Sequence, residues 1–354
     1  MARAHTTTEA ESRTEQDGAG RESGAGPAAT ARRVLRGAAR LGGEGRWRRG
    51  WVLALIAVLA AALMLLHSRV PNRIGNLGSL LETFLPWVGL VFPVLLLLAL
   101  LRRSATALVA LLVPVLVWVG MFGDLLVDRR GTGGDLTVVT HNVNAQNPDP
   151  AGTARLLAES GADVVALQEL PKRMLVRYET VLGEVYPHHT VQGTVGLWSR
   201  YPIGEARPVN IGVGWTRAMR ATVTTPQGAV AFYGAHLPSV RVKFEAGFTA
   251  RQRDVAADLL GEAIAGERIE RVMLLGDLNG TMNDRALASV TSQLRSTQGA
   301  AGNGFGFSWP ASFPLARIDQ IMVRGVEPVS SWTLPPTTSD HLPLAASVRW
   351  EAER

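Results

Sequence analysis

The chain has 354 residues, a formal net charge of +6 and no cysteine. Without cysteine, a disulfide framework, thiolate chemistry and a Cys-ligated zinc site are excluded. The charge is uneven, because residues 1–130 carry 16 Lys/Arg against 9 Asp/Glu and residues 131–354 carry 20 against 21. A non-specific nucleic-acid binder normally concentrates positive charge on its binding domain, so the nearly neutral C-terminal part disfavours that class.

Residues 1–45 consist mainly of Ala, Gly, Ser, Thr, Glu and Arg, with very few large apolar residues. Such a segment cannot bury enough apolar surface to offset the entropy lost on ordering. We therefore predict a disordered, basic tail.

Residues 46–130 are predicted to form a membrane anchor of three helices. Three apolar runs cover about 51–66, 83–101 and 105–126, and no charge lies in the central part of any of them. Each run is near the ~20 residues that a membrane helix needs, although the first is somewhat short. A signal peptide is the alternative for the first run, but a long segment precedes it and no small-residue cleavage site follows it.

The arginines predict how the anchor is oriented. A dense Arg cluster precedes the first run, and Arg102 and Arg103 lie in the short loop between the second and third runs. Because cytoplasmic loops carry the excess of Lys and Arg, both segments are expected in the cytoplasm. Three crossings then place the C-terminal part outside the cell, at the outer face of the membrane. The chain is therefore expected to be a multi-pass protein of the cell membrane. Arg129 and Arg130 argue mildly for the opposite orientation.

Residues 131–354 are predicted to form one α/β domain. Strands are expected at 136–140, 163–168, 193–199, 219–224, 230–235, 272–276, 318–323 and 344–348, and helices at 152–160 and 248–264. This mixture indicates a domain with substantial sheet, in which two sheets pack face to face.

Most of these strands end in polar residues that suit a metal ion or a phosphate group. They are Asn142, Glu169, His236, Asp277, Asn279, Asp319, Asp340 and His341. A single polar residue at a strand end is usually a turn former or a helix cap, but the whole set favours a shared site. Carboxylates suit a hard cation such as Mg²⁺, a His beside an Asp suits acid–base work, and amides can donate to phosphoryl oxygens.

The order of these residues resembles that of the endonuclease/exonuclease/phosphatase superfamily. The supporting strings are LWSRYPI at 197–203, GDLNG at 276–280, RIDQIMV at 317–323 and SDHLPL at 339–344. Gln320 departs from the pattern, because many relatives have His there. The resemblance implies a four-layer α-β-β-α sandwich of the DNase I-like type and a metal-dependent hydrolase of phosphoester or pyrophosphate bonds.

The resemblance also implies a catalytic role for five residues. Asp277 would orient or deprotonate the attacking water, and Asn279 would hold the phosphate. His341, held by Asp319, would bind or protonate the scissile phosphate, and His236 would contact a phosphate oxygen.

For the metal ion, the resemblance implies Glu169 as primary ligand with Asn142 beside it, and Asp340 as a further metal or water ligand. Mg²⁺ is the expected cation, with Mn²⁺ and Ca²⁺ as alternatives. Arg217 and Arg220 are candidates for binding an anionic substrate, although surface charge explains them equally well.

The membrane segment carries a second resemblance. The three apolar runs, with LGSLLETFLPWVGL at 77–90, are similar to the membrane-bound VanJ-type proteins linked to glycopeptide resistance. This implies a phosphatase of undecaprenyl pyrophosphate or a related lipid-linked cell-wall intermediate, with a membrane lipid as partner and no obligate protein partner. A tethered extracellular nuclease, a phospholipase or sphingomyelinase-like phosphodiesterase and a non-catalytic receptor on the same fold remain as alternatives, and nucleic acid is the less favoured substrate.

Several other residues are weaker candidates. One of Arg251 and Arg253 could reach the cleft. The segment GNGFGFSWP at 302–310 is Gly-rich without a phosphate-loop pattern, and we predict a mobile loop near the site. Three aromatic residues could contact acyl chains, although core packing or chance exposure explains them better; they are Trp215, Phe244 and Phe248.

Overall fold

The computed structural model describes residues 50–72, 75–239 and 247–350. The predicted tail at 1–45 lies outside the described residues, as do Phe244 and the side chain of Phe248.

Apolar helices form the N-terminal part of the described chain. They are α1 (Trp51–Leu65), α2 (Leu77–Thr83), α3 (Val91–Leu101) and α4 (Ala105–Phe122), with 3-10 turns at His67–Arg69, Leu85–Leu90 and Gly123–Leu126. Helices α1, α3 and α4 pack through alanines and leucines such as Ala57, Ala99 and Ala107. Small side chains allow helices to approach closely, as they do in membrane bundles. Most other leucines and valines of these helices face outward.

One described helical stretch, Ala105–Leu126, is long and apolar enough to cross a membrane. A second span qualifies if the helices Leu77–Thr83 and Leu85–Leu101 are counted as one, although the chain bends by 73° between them. Pro86 lies at this bend, where its missing N–H favours the start of a new helical turn. Helix α1 has 15 residues, about 22 Å at the helical rise of ~1.5 Å per residue, which is shorter than the ~30 Å hydrocarbon core.

Two six-stranded sheets form the centre of the C-terminal part. The first has the order β11-β12-β1-β2-β4-β3. Its strands are β1 (Leu136–Asn142), β2 (Val164–Gln168), β3 (His188–Gln192), β4 (Val195–Ser199), β11 (Val326–Thr333) and β12 (Leu344–Trp350). The second has the order β5-β6-β7-β8-β10-β9. Its strands are β5 (Ile203–Pro208), β6 (Ala218–Thr225), β7 (Gly228–His236), β8 (Val272–Asp277), β9 (Arg295–Ser296) and β10 (Asp319–Arg324).

The two sheets pack face to face, with helices outside. Alternate residues of β1 point to opposite faces, so Leu136 and Val138 lie in the core between the sheets, whereas Val139 packs toward the outer helices. Two of the helices, α5 (Pro150–Glu159) and α6 (Lys172–Leu182), come from the first half of the α/β part of the chain. The other three come from its second half and are α7 (Gly247–Ala265), α8 (Ala288–Thr291) and α9 (Thr297–Ala301). The predicted α-β-β-α sandwich is confirmed.

Strand direction explains why the polar residues meet at one edge. Each sheet contains one parallel pair, β1–β2 and β7–β8, whose carboxyl ends lie side by side. Strands β12 and β10 run antiparallel to β1 and β8, so their first residues reach the same edge. The register pairs Asn142 with Gln168 in the first sheet, and Asp277 with both His236 and Asp319 in the second.

A buried ion pair stabilises the second sheet away from this edge. Arg220 and Glu267 have side chains 4% and 5% exposed, with Nε and Oε2 2.9 Å apart. Burial alone would raise the pKa of Glu267, but hydrogen bonds from Arg220, the Ile269 amide and Tyr233 outweigh it and lower the pKa to about 2. The pair therefore contributes stability above the carboxyl's ordinary pKa of 4.5 and loses it as the pH falls toward 2.

We expect Glu267→Gln to lower the free energy of unfolding at pH 7 by about 2 kcal/mol, because Arg220 stays buried, loses its buried charged partner and keeps only the exposed Glu205. Thermal midpoints of wild type and variant should converge as the pH is lowered from 4.5 toward 2. The matched control is Glu327→Gln, which breaks the exposed pair with Arg295 and should change little. Equal effects of the two substitutions at pH 7 would contradict this account.

Candidate active site

A cavity of about 820 Å³ lies over the edge where the strand ends meet. Six residues predicted from the sequence as catalytic or metal-binding line it, and they are Glu169, His236, Asp277, Asn279, Asp340 and His341. Asn142 and Asp319 lie behind them, hydrogen-bonded to Asp277 and His341 respectively. The structure thus brings all eight residues into one cluster.

Asp277 lies at the centre of the cluster and is 1% exposed. Its Oδ2 accepts from Asn142 Nδ2 at 3.0 Å, and its Oδ1 accepts from the backbone N–H of Asn279 at 2.9 Å. Burial raises the pKa of Asp277 to about 7, and the nearby Asp319 adds to the rise. The carboxylate is therefore fixed from two sides while one edge faces the cavity.

His341 is held by a carboxylate behind it. Its Nδ1 lies 2.8 Å from Oδ2 of Asp319, which also accepts from Ser308 Oγ at 2.6 Å. Burial alone would lower the pKa of His341, but the charges of Asp319 and Asp277 outweigh it and raise the pKa to about 10. The imidazolium directs Nε2 toward Asp277, 3.8 Å from its Oδ2. A charged N–H donor in this place suits a phosphoryl oxygen.

The loop after β1 donates hydrogen bonds to two further carboxylates of the cavity, those of Glu169 and Asp340. The backbone N–H of Ala145 donates to Glu169 Oε2 at 3.0 Å, and Asn144 Nδ2 donates to Asp340 Oδ1 at 2.9 Å. Glu169 has a φ of 58°, a left-handed conformation uncommon for this residue and typical of functional sites. Its Oε1 lies 3.6 Å from Nε2 of His236, whose pKa is held well below its usual range by burial and by nearby positive charges.

The residues predicted to bind the metal ion lie together, and their donors fit a hard cation. Glu169 and Asp340 line the cavity with carboxylate groups, and Mg²⁺ needs few such protein ligands because it keeps several waters. The amide of Asn142 is engaged on both sides, since it donates to Asp277 and accepts from the N–H of Asn144. Its part as a metal ligand stays a prediction.

A second group of possible ligands lies beside the first. Single ligand atoms of Asp277, Asp319 and His341 all lie within 4.8 Å of one another. Metal-bound histidines commonly donate their other ring N–H to a carboxylate, and His341 Nδ1 lies 2.8 Å from Asp319 Oδ2 in this way. These three residues therefore form a second group with the chemistry to hold a divalent cation, next to the carboxylates of Glu169 and Asp340.

Of the two arginine candidates, only Arg217 reaches the cavity. It lines the cavity and lies over the ring of Trp215, with 5.8 Å from Cζ to the centroid. Arg217 directly precedes β6, where its carbonyl accepts from the N–H of His236, and Arg220 is the third residue of β6. Residues an odd number of positions apart along such extended chain point to opposite faces. The guanidinium of Arg220 is instead bound to Glu267, and the structure does not support a substrate contact for it.

Sequence reasoning did not identify the groups that support the catalytic residues. Ser308, which bonds Asp319, lies in the segment 302–310 that was predicted to be a mobile loop. That segment is packed against the apolar helices, with the ring of Phe307 5.7 Å from Trp87 and the ring of Phe305 6.1 Å from Phe122. The aromatic residues of GNGFGFSWP were the available signal.

Arg253 does not line the cavity but lies directly beneath it. It is fully buried, pairs with Asp284 and donates to the backbone oxygen of Asn279 at 3.0 Å. It is a positioning residue for the loop that carries Asn279.

Comparisons with known proteins place the fold and the family. A comparison with curated protein sequences returned no match. Similar solved structures are a beta toxin from Staphylococcus aureus (16% identity, TM-score 0.51, covering 60% of this chain and 99% of that one) and a functionally unknown conserved protein from Enterococcus faecalis (15%, 0.51, 61% and 100%). An endonuclease/exonuclease/phosphatase from Bacteroides vulgatus is similar too (17%, 0.51, 62% and 100%). At these identities the likeness shows the fold alone.

The family model described as "Endonuclease/Exonuclease/phosphatase family" matches residues 139–341, more than half of the chain, and its span includes all eight clustered residues. The chain therefore belongs to the endonuclease/exonuclease/phosphatase family and is a metal-dependent hydrolase that acts on phosphoester bonds.

Proposed function

We propose that this enzyme is a membrane-anchored phosphatase of lipid-linked pyrophosphates. Its substrate would be undecaprenyl pyrophosphate or a related cell-wall intermediate in the outer leaflet, and glycopeptide resistance would be a consequence. The observation that carries the proposal is that the apolar helices dock directly on the loops that hold the catalytic residues.

Two hydrogen bonds illustrate this docking. The indole Nε1 of Trp87, at the start of the second apolar run, donates to the backbone oxygen of Leu315 at 2.7 Å. Thr281 Oγ1, two residues after Asn279, donates to the backbone oxygen of Glu82 at 3.0 Å. A catalytic domain fixed in this way lies next to the bilayer, where tethering raises the local concentration of a membrane-bound substrate.

In the proposed reaction, water attacks the terminal phosphorus in line with the bridging oxygen. Asp277 takes the proton of the water as the new O–P bond forms. Arg217, which lines the cavity, holds non-bridging oxygens. Asn279 Nδ2 donates to Leu237 O at 2.9 Å and to Asp277 Oδ2 at 3.3 Å, and in the proposed reaction it exchanges the longer bond for one to a phosphate oxygen. Pre-positioned donors of this kind stabilise the charge that develops at phosphorus.

His341 gives its Nε2 proton to the bridging oxygen as the phosphoanhydride bond breaks, so lipid monophosphate and inorganic phosphate leave. Asp319 keeps the imidazole oriented and charged for this transfer. The divalent cation, held by Glu169 and Asp340, would neutralise charge on the phosphate oxygens.

The first experiment is an assay of the purified full chain with Mg²⁺. We expect phosphate release from undecaprenyl pyrophosphate that stops with EDTA and returns with excess Mg²⁺, and no cleavage of duplex or single-stranded DNA. Cleavage of DNA with an inert lipid would instead identify a tethered nuclease. Turnover of a phospholipid diester would identify a phosphodiesterase.

The membrane arrangement is part of the proposal. We propose that the three apolar runs all cross the membrane, the 15-residue α1 being accommodated by local thinning of the bilayer, with the N-terminus in the cytoplasm and the catalytic domain outside. Arg102 and Arg103 remain exposed between α3 and α4. Arg129 and Arg130 are paired with Asp124 and Asp128 at 2.6 and 2.8 Å, but acidic residues count little in this bias, so the proposed orientation rests on the arginines of the N-terminal segment and of the loop between α3 and α4.

Because the chain has no cysteine, single introduced cysteines report its orientation directly. We expect Glu159→Cys, exposed on α5, to react with a membrane-impermeant maleimide in intact bacterial host cells. Arg102→Cys should react only after the cells are permeabilised. The reverse pattern would place the catalytic domain in the cytoplasm.

A further inference from the structure

The cavity is larger than its chemistry requires. A pyrophosphate group is small compared with about 820 Å³, a volume within the ~300–1,000 Å³ range of sites for much larger ligands. The catalytic residues account for one part of the lining. The rest is formed by residues for which hydrolysis has no use.

One wall of the cavity comes from the membrane anchor. Asn76, Ser79, Leu80, Thr83 and Phe84 line it. Positions spaced three and four apart share one face of a helix, so α2 and its flanking residues turn one stripe toward the site. The stripe is polar at its N-terminal end and apolar at Leu80 and Phe84.

Hydrogen bonds hold this wall in place against the catalytic loops. Ser79 Oγ accepts from Arg253 Nη2 at 3.1 Å, and the same arginine donates to the backbone oxygen of Asn279. The carbonyl of Glu82 accepts from Thr281. The distance from the wall to the phosphate-binding residues is therefore fixed by the fold.

The apolar end of the wall leads to the membrane helices. Phe84 directly precedes the turn Leu85–Leu90 and α3, and most leucines of α3 face outward. On the side of the catalytic domain, Trp215 lines the same cavity although it is 60% exposed. A hydrocarbon chain leaving the catalytic residues along Leu80 and Phe84 would thus reach the bilayer without crossing water. This path is favourable because apolar surface is more stable in an apolar environment than in water.

We propose that Leu80, Thr83, Phe84 and Trp215 form a hydrocarbon subsite. It binds the first units of the substrate's polyisoprenyl chain while the pyrophosphate lies at Asp277 and His341. The anchor is then part of the specificity pocket as well as a tether. The substrate class is a long-chain prenyl pyrophosphate, selected by chain length.

The kinetic test compares undecaprenyl with geranyl pyrophosphate in detergent micelles, using the full chain. We expect Leu80→Ala and Phe84→Ala to lower the ratio of kcat/KM for the long chain over the short chain by roughly tenfold, the scale of lost methylene contacts in a pocket. The matched control is Leu90→Ala, an exposed leucine outside the cavity, which should leave the ratio unchanged. An unchanged ratio in both cavity variants would overturn the subsite.

Because the subsite rests on the proposed function, a second readout avoids turnover. The inactive Asp277→Asn chain is exposed to a long-chain alkyl phosphate that carries a diazirine near the phosphate, and labelled peptides are mapped. Labelling of 77–84 that unlabelled long-chain phosphate prevents would support the subsite even if the wild type released no phosphate from lipid. Labelling confined to the bilayer-facing helices, without competition, would overturn it even if lipid turnover is found.

Discussion

Asp277→Asn is expected to lower kcat on undecaprenyl pyrophosphate by about 10³-fold, with little change in KM. The substitution keeps the shape of the side chain but removes the base that we propose accepts the water's proton, a contribution of ~10²–10⁴-fold in general-base catalysis. A loss confined to kcat means that the interaction matters in the transition state and not in substrate binding. Initial rates over a range of lipid concentrations give both constants.

The fold should survive this substitution. The N–H of Asn279 still finds an oxygen on the introduced side chain, whereas Asn142 Nδ2 loses its acceptor. Loss of a buried negative charge removes a desolvation penalty and offsets that missing hydrogen bond. The matched control is Asp258→Asn on the exposed face of α7, which should keep wild-type kcat. Retention of more than a tenth of the activity by Asp277→Asn, with an unchanged thermal midpoint, would remove Asp277 from the role of base.

The central strands were predictable from sequence and the edge strands were not. The eight predicted strands correspond to the inner strands of both sheets, such as β2 and β8, which are buried along their whole length. The missed strands β3, β5, β9 and β11 are the four sheet edges. An edge strand has one unpaired side and more contact with solvent, as in β5 with its exposed Glu205 and Arg207, so it lacks the apolar run that marks a buried strand.

The candidate site divides in the same way. Asn142, Glu169 and Asp277 follow apolar strands, so their shared edge could be expected from the pattern. The wall from α2 could not, because its place depends on how the N-terminal apolar helices pack on the α/β domain. That docking depends on contacts distant in sequence, such as Trp87 with Leu315, which no local periodicity records.

The pair of Arg253 and Asp284 is the second place where a large effect is expected. Both side chains are fully buried, and two hydrogen bonds of 2.5 and 3.0 Å join them. In Arg253→Met the carboxylate of Asp284 stays buried without its charged partner, which lowers the free energy of unfolding by about 3–5 kcal/mol. For a domain of this size we expect the thermal midpoint to fall by roughly 10 °C. Thermal unfolding in detergent, monitored by intrinsic tryptophan fluorescence, measures this midpoint.

The double variant Arg253→Met, Asp284→Asn separates charge from packing. The introduced amide keeps an oxygen for the N–H of Ala286, which caps the turn at Arg285–Leu287, but carries no charge that needs a partner. We expect the double variant to recover most of the lost stability, because replacing both members of a buried pair by neutral groups is often close to neutral. If the double variant is as unstable as Arg253→Met, the loss comes from the contacts of the arginine itself. Those contacts join Ser79 of α2 to Asn279 of the site, so α2 would then be an integral part of the folded α/β domain.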